Sequence, residues 1–153
     1  MITVVPFEME HLDLLIPTLR DHDAKMVVLH GGEVALRQMF EALSKFAIMN
    51  SFVTERGEVV AVWVFVQKWP GVAQCFAWTS TLVDVMPKEF WKACKRGLES
   101  AQEAIECHRM EADVRLDHPH GVRWLQKLGF KIEGCMRQYG VDKMDSYLLG
   151  KVW

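Results

Sequence analysis

Glu111, Asp113 and Arg115 alternate within the run Met110 to Leu116. A strand puts alternate side chains on one face, so two carboxylates and a guanidinium stand in a row. Such a row either moves protons or neutralises itself as ion pairs, and both readings are open. His118 and His120 follow, separated by one proline. A His-x-His pair invites a metal, but no third ligand comes at a usual spacing, and loop solvation or helix capping is the ordinary fate. Upstream, Lys88, Lys92 and Lys95 fall on one face near the start of a helix that Pro87 opens. Cations there oppose the helix dipole, and an anion bound at the free N–H groups would offset them. A solvated basic face, partly balanced by Glu89 and Glu99, is the alternative. Thr79, Ser80 and Thr81 are hydroxyls that suit a cap or a turn.

These residues need elements to place them. Ile2 to Phe7 suits a short first strand, and Glu8 to Leu29 reads as helix that Pro17 kinks or splits. Gly31-Gly32 breaks that pattern, and Glu33 to Phe46 is a second helix. The period then changes to two. Strands are predicted over Ile48 to Glu55, Val59 to Gln67 and Val72 to Val83, with turns at Arg56-Gly57-Glu58 and Trp69-Pro70-Gly71. After Pro87 comes a helix with Phe90, Cys94, Leu98, Ala101 and Ile105 on its buried stripe. Met110 to Leu116 is a strand and Gly121 to Leu128 a helix closed by Gly129. Lys131 to Tyr139 and Ser146 to Val152 are the last strands. The order is β-α-α-β-β-β-α-β-α-β-β, an α/β (α+β) domain with one parallel pairing near the centre of a mixed six- to seven-stranded sheet.

The 153 residues suit one domain spanning 1–153, and half of them are hydrophobic. A formal charge of −2 argues against a nucleic-acid surface or a polybasic membrane patch. No apolar run reaches the length of a membrane span. Cys75, Cys94, Cys107 and Cys135 form no C-x-x-C pair and read as reduced, packed thiols. The start, Met1 to Glu8, has no signal or transit pattern, so a cytoplasmic location is expected.

The stretch Arg109 to Gly134 contains R-M-E-A-D-V-R-L-D-H-P-H-G-V-R-W-L-Q-K-L-G-F-K-I-E-G. It resembles the tail of the GNAT superfamily of N-acetyltransferases, where a helix carrying Leu-Glu-Lys-Leu-Gly-Phe precedes x-x-Glu-Gly and a strand with a Tyr. The element order matches that fold too. A narrower resemblance runs through C75-F-A-W-T-S-T-L-V83 and H118-P-H-G-V-R-W-L-Q-K-L-G129. It is similar to the GNAT-like internal virion protein A group of short-tailed bacteriophages. That likeness implies a phage origin, a host cytoplasm or virion interior, and a phage or host protein partner.

The superfamily resemblance implies acetyl-CoA as cofactor and an amine as acceptor. Glu111 or Asp113 would be the base, and Tyr139 a weak candidate acid on the strand after the last helix. Thr79, Ser80 and Thr81 would line the cofactor cleft, with His118 at the position of the family's Asn. One departure matters. The family's Arg/Gln-x-x-Gly-x-Gly/Ala loop corresponds to Val83 to Gly97, where no glycine precedes Gly97. Lys88 and Lys92, with the free N–H groups after Pro87, would replace it as a phosphate site. Two readings follow: an N-acetyltransferase with a degenerate cofactor loop, or a silent GNAT fold used for binding or virion assembly. The apolar run Ser146 to Trp153 suits either a homodimer edge or a covered core strand.

Overall fold

In a computed structural model describing residues 1–153, the chain forms one seven-stranded sheet in the order β1-β2-β3-β4-β5-β7-β6. The strands are β1 Ile2–Pro6, β2 Ile48–Thr54, β3 Val59–Trp69, β4 Val72–Thr79, β5 Arg109–Arg115, β6 Lys131–Met136 and β7 Ser146–Val152. The helices are α1 Glu10–Leu15, α2 Asp21–Leu29, α3 Gly32–Leu43, α4 Leu82–Val85, α5 Pro87–Ile105 and α6 Pro119–Lys127. All neighbours pair antiparallel except β4 and β5. No helix is long and apolar enough to cross a membrane.

The central strand β3 is apolar on both faces because each face is covered. Val60, Ala61, Trp63 and Phe65 belong to one core, packed with Phe90, Cys94 and Leu98 of α5 and Val122 of α6. Val59, Val62 and Val64 belong to a second core, packed with Leu12, Leu15, Leu36 and Phe40 of α1 and α3. At 25–30 cal/mol per Å² of apolar surface removed from water, these two cores supply the main drive for folding. Phe130 is buried beneath the sheet, and Gly129 ends the last helix with φ +95°, as the sequence predicts.

As expected, Pro17 splits the first helical pattern, giving α1, a 3-10 turn Ile16–Thr18 and α2, with Leu19 extended between them. Three element ends fall short of expectation by three residues or more. The second helix stops at Leu43 and gives way to a turn. β4 stops at Thr79 instead of Val83, because the next residues coil into α4. β6 stops at Met136 instead of Tyr139, because Gln138 turns to φ 53° and its N–H bonds Asp145 Oδ1 at 2.7 Å. Cys75, Cys94 and Cys107 are buried thiols, but Cys135 is exposed, since β6 is an uncovered edge strand. β7 lies between β5 and β6, so Ser146–Val152 is an interior strand and not a sheet edge.

Candidate functional site

The two parallel strands part company. β4 and β5 pair only at Val72–Arg109, Ala73–Met110 and Gln74–Glu111. Beyond that, β4 stays with β3 as far as Thr79, and β5 stays with β7 as far as Arg115. A V-shaped opening lies between them. The Ser80 N–H bonds Val60 O across to β3. By the alternation of an antiparallel ladder, the backbones of Ala77 and Thr79 turn toward the opening.

On β5 the carboxylates meet different fates. Glu111 accepts from Lys68 Nζ at 2.7 Å and Arg109 Nε at 2.9 Å. Its burial would raise its pKa, but these two cations outweigh burial and hold it below the usual carboxylate range. Arg109 also pairs with Glu133. Glu111, one of the two candidate bases, is thus held ionised between two cations. Arg115 is buried and forks onto two carboxylates, Asp117 at 3.0 and 2.9 Å and Asp142 at 2.7 and 2.8 Å. Asp113, between them, is half-buried and takes part in no ion pair. Its one side-chain partner is Gln74, whose Nε2 donates to Oδ1 at 3.1 Å. Burial raises its pKa, opposed by that hydrogen bond. A raised carboxyl without a fixed counter-charge is suited to take a proton from an incoming group.

Tyr139 is 53% exposed in the loop after β6, not on a strand. The Arg115–Asp142 pair ties this loop to β5. The negative charge of Asp113, then desolvation, pushes the Tyr139 phenol up, so it keeps its proton at neutral pH. Tyr139 and Asp113 thus share one electrostatic neighbourhood.

The three hydroxyls are not equivalent. Thr79 borders the opening, and its hydroxyl and N–H both donate to Asp23 of α2. Ser80 is fully buried, and its Oγ accepts the Leu82 N–H at 3.3 Å. Thr81 is exposed, with its N–H bonded to Thr18 O.

At the loop before α5 the structure shows a helical turn. The N–H groups of Leu82, Val83, Asp84 and Met86 bond Ser80 Oγ, Ser80 O, Thr81 O and Leu82 O. Beside it lies a groove of about 550 Å³ lined by Pro87, Lys88, Trp91, Lys92, Trp124 and Lys127. Lys88 and Lys92 therefore meet, as their spacing predicts. Trp91, Trp124 and Lys127 join them, and sequence reasoning missed these three. The i, i+3 spacing of Trp124 and Lys127 on an amphipathic helix was the available signal. Trp124 stacks on Phe90 at 5.0 Å between centroids. Lys95 turns aside, its Nζ 5.9 Å from the Trp91 ring centroid.

His118 precedes α6 but makes no side-chain cap bond. Its ring stacks on His22 of α2, centroids 3.7 Å apart and planes 9° apart. Burial, then the charges of His22, Arg20 and His120, lower its pKa to about 4, so it is neutral at physiological pH. His120 Nδ1 lies 3.0 Å from Arg123. No cluster of three or more His, Cys, Asp or Glu side chains gathers as a metal site.

A sheet splayed between two parallel central strands, with helices on both faces, is the architecture of known N-acetyltransferase structures. An acetyltransferase of the GNAT family from Bacillus anthracis superposes with a TM-score of 0.77 at 14% identity, covering 99% of this chain and 94% of that one. The chain has the GNAT fold. The ribosomal-protein-S5-alanine acetyltransferase from Vibrio fischeri gives 0.75 at 13% identity, with coverages of 99% and 92%. A spermidine N-acetyltransferase mutant from Vibrio cholerae gives 0.76 at 10% identity, with coverages of 98% and 94%. No protein-family model and no curated protein sequence matches the chain. The GNAT fold is thus shared nearly end to end at 10–14% sequence identity.

Proposed function

We propose that the protein is an acyl-CoA-dependent N-acyltransferase of the GNAT type in which lysine side chains replace the glycine-rich phosphate loop. The observation that carries this reading is Asp113. It is a half-buried carboxylate without an ion pair beside the opening, on a strand where its two alternate neighbours are ion-paired.

The residues fit a CoA-like carrier through side chains and not through backbone. Lys88, Lys92 and Lys127 bring three positive charges to one groove, and Trp91 and Trp124 bring indole surfaces on which a purine stacks. In the turn Leu82–Val85 the amides of Leu82, Val83 and Asp84 are already taken. Acetyl-CoA, when bound, supplies an activated thioester. Asp113 takes the proton of an acceptor amine, held in orientation by Gln74. Tyr139 holds the proton that a departing thiolate needs. The acceptor is an amine, as the name of the spermidine N-acetyltransferase from Vibrio cholerae gives for that protein.

A second reading rests on the satisfied amides of α4 and the occupied Thr79. In that reading the GNAT fold serves binding or virion assembly in a phage-encoded protein of the host cytoplasm or virion interior. Assaying thiol release from acetyl-CoA against a panel of primary amines separates the two. The enzyme reading expects turnover that Asp113→Asn abolishes without weakening acetyl-CoA binding. A protein that releases no thiol with any amine and binds no acetyl-CoA supports the second.

A further inference from the structure

The wide end of the opening is not vacant. Thr79 presents an N–H, a C=O and a hydroxyl there, and all three are taken by one short stretch. Asp23 accepts the N–H at 3.2 Å and also the hydroxyl. The Arg20 N–H donates to Thr79 O at 3.0 Å. Leu19 bridges Ser80, and the Thr81 N–H bonds Thr18 O at 2.9 Å. The same stretch reaches the other arm of the V. His22 stacks on His118, and Lys25 Nζ lies 3.6 Å from Asp117 Oδ2. Arg20 also pairs with Asp84 of α4 at 3.1 Å.

This stretch is held by polar bonds more than by packing. α2 buries one side chain, Val27, whereas α1 buries Leu12 and Leu15 completely. It is bounded by joints on both sides. Leu19 is extended after the Pro17 turn, and Gly31 and Gly32 both take positive φ, 103° and 86°. Two consecutive left-handed glycines are a backbone that swivels at low cost. A segment with few apolar anchors between two joints opens at lower free energy than the core around it.

From this arrangement we infer that Thr18 to Lys25 is a latch that closes the cleft and must release before an extended carrier arm lies along β4 past Ala77. The inference rests on the acyl-carrier reading for the identity of the ligand, but the latch itself is a property of the free chain. In the closed state both donors of Thr79 are engaged and its C=O already accepts one bond. Release exchanges the Asp23 and Arg20 bonds for bonds to the ligand, so the latch sets the apparent affinity through its open fraction.

The test reads the free protein first. Amide exchange of Thr79 and of the 18–25 segment is followed in the wild type, Asp23→Asn and Lys25→Ala. The latch predicts that these amides exchange together, well ahead of Val62 to Phe65, and faster still in both variants. Exchange of Thr79 only with the β3 core, in all three proteins, overturns the latch and makes the segment a fixed part of the fold. Acetyl-CoA titration of the same proteins follows. The latch predicts about tenfold tighter binding by Asp23→Asn. Equal or weaker binding by both variants overturns the gating. Absence of binding by all three, with the joint exchange intact, overturns the acyl-carrier reading and leaves the latch standing.

Discussion

Arg115 of β5 grips Asp117 and Asp142 at once, each through two guanidinium nitrogens, and so ties the loop before α6 to the loop after β6. This buried fork fixes Tyr139 on one side and His118 on the other relative to Asp113. It also explains why Asp113 alone on that strand has no counter-charge, since both neighbouring partners are spoken for.

Breaking the fork leaves two carboxylates without their cation. Arg115→Leu is expected to destabilise the protein, by less than the loss of a fully buried pair, since both carboxylates stay about a third exposed and Asp117 keeps Lys25. Urea unfolding reads it as a lower midpoint at unchanged slope. Asp142→Asn removes one arm and leaves Asp117 paired. It should cost less in stability while still lowering turnover by freeing the Tyr139 loop. Full turnover in Asp142→Asn would detach Tyr139 from the chemistry.

Asp113 should set the acidic limb of the rate profile. Its carboxyl is raised by burial, so the free base forms only above the ordinary carboxylate range. The rate therefore rises with pH through that raised value. Asp113→Asn should lower kcat by roughly a hundredfold or more at unchanged acetyl-CoA affinity. Glu111→Gln, which loses only ion pairs, should keep its kcat. The reverse pattern would exchange their roles.

His118 links stability to pH. Its folded pKa of about 4 lies below the ordinary histidine value of 6.5, so between those values the unfolded chain binds the extra proton. Its contribution is intact above pH 6.5 and is lost as pH falls toward 4. Asp113, whose folded carboxyl is raised, acts in the opposite sense, so the comparison must be made against a His118→Gln variant. The wild type should lose more stability than that variant between neutral and mildly acidic pH. Parallel curves would contradict the burial of His118.

Gly121 makes room for the histidine stack. A Cβ there would stand 2.5 Å from His118 Cδ2 and 3.1 Å from Val114 Cγ1. Gly121→Ala should push the ring off His22, and the His118 pKa, followed by NMR, should climb toward the ordinary histidine value. An unmoved titration would show that the ring is held by something other than this gap.

Much of the fold was legible because its signals are local. Pro87 and Gly129 mark a helix start and a helix end, the period-two runs mark the meander, and the tail motif carries the β-α-β turn. The site was legible only in part. Lys88 and Lys92 share a helix face, so their meeting follows from periodicity, whereas Trp124 and Lys127 reach them from a different helix. The Asp23–Thr79 contact joins residues 56 apart in sequence, and no pattern of either segment announces it. Glu111 and Asp113 look alike in sequence. Lys68 and Gln74, contributed by other strands, decide which one is neutralised and which is available. Tyr139 read as strand because apolar alternation does not reveal a left-handed turn at Gln138.

In the proposed function a phosphorylated acyl carrier sits on Lys88, Lys92 and Lys127. Calorimetric titration of acetyl-CoA into the wild type and into Lys88→Ala/Lys92→Ala/Lys127→Ala tests it most directly. The account predicts micromolar binding by the wild type and at least about a tenfold loss in the triple variant, a difference of some 1.4 kcal/mol. No heat at millimolar acetyl-CoA, or equal affinity in the two proteins, would contradict it.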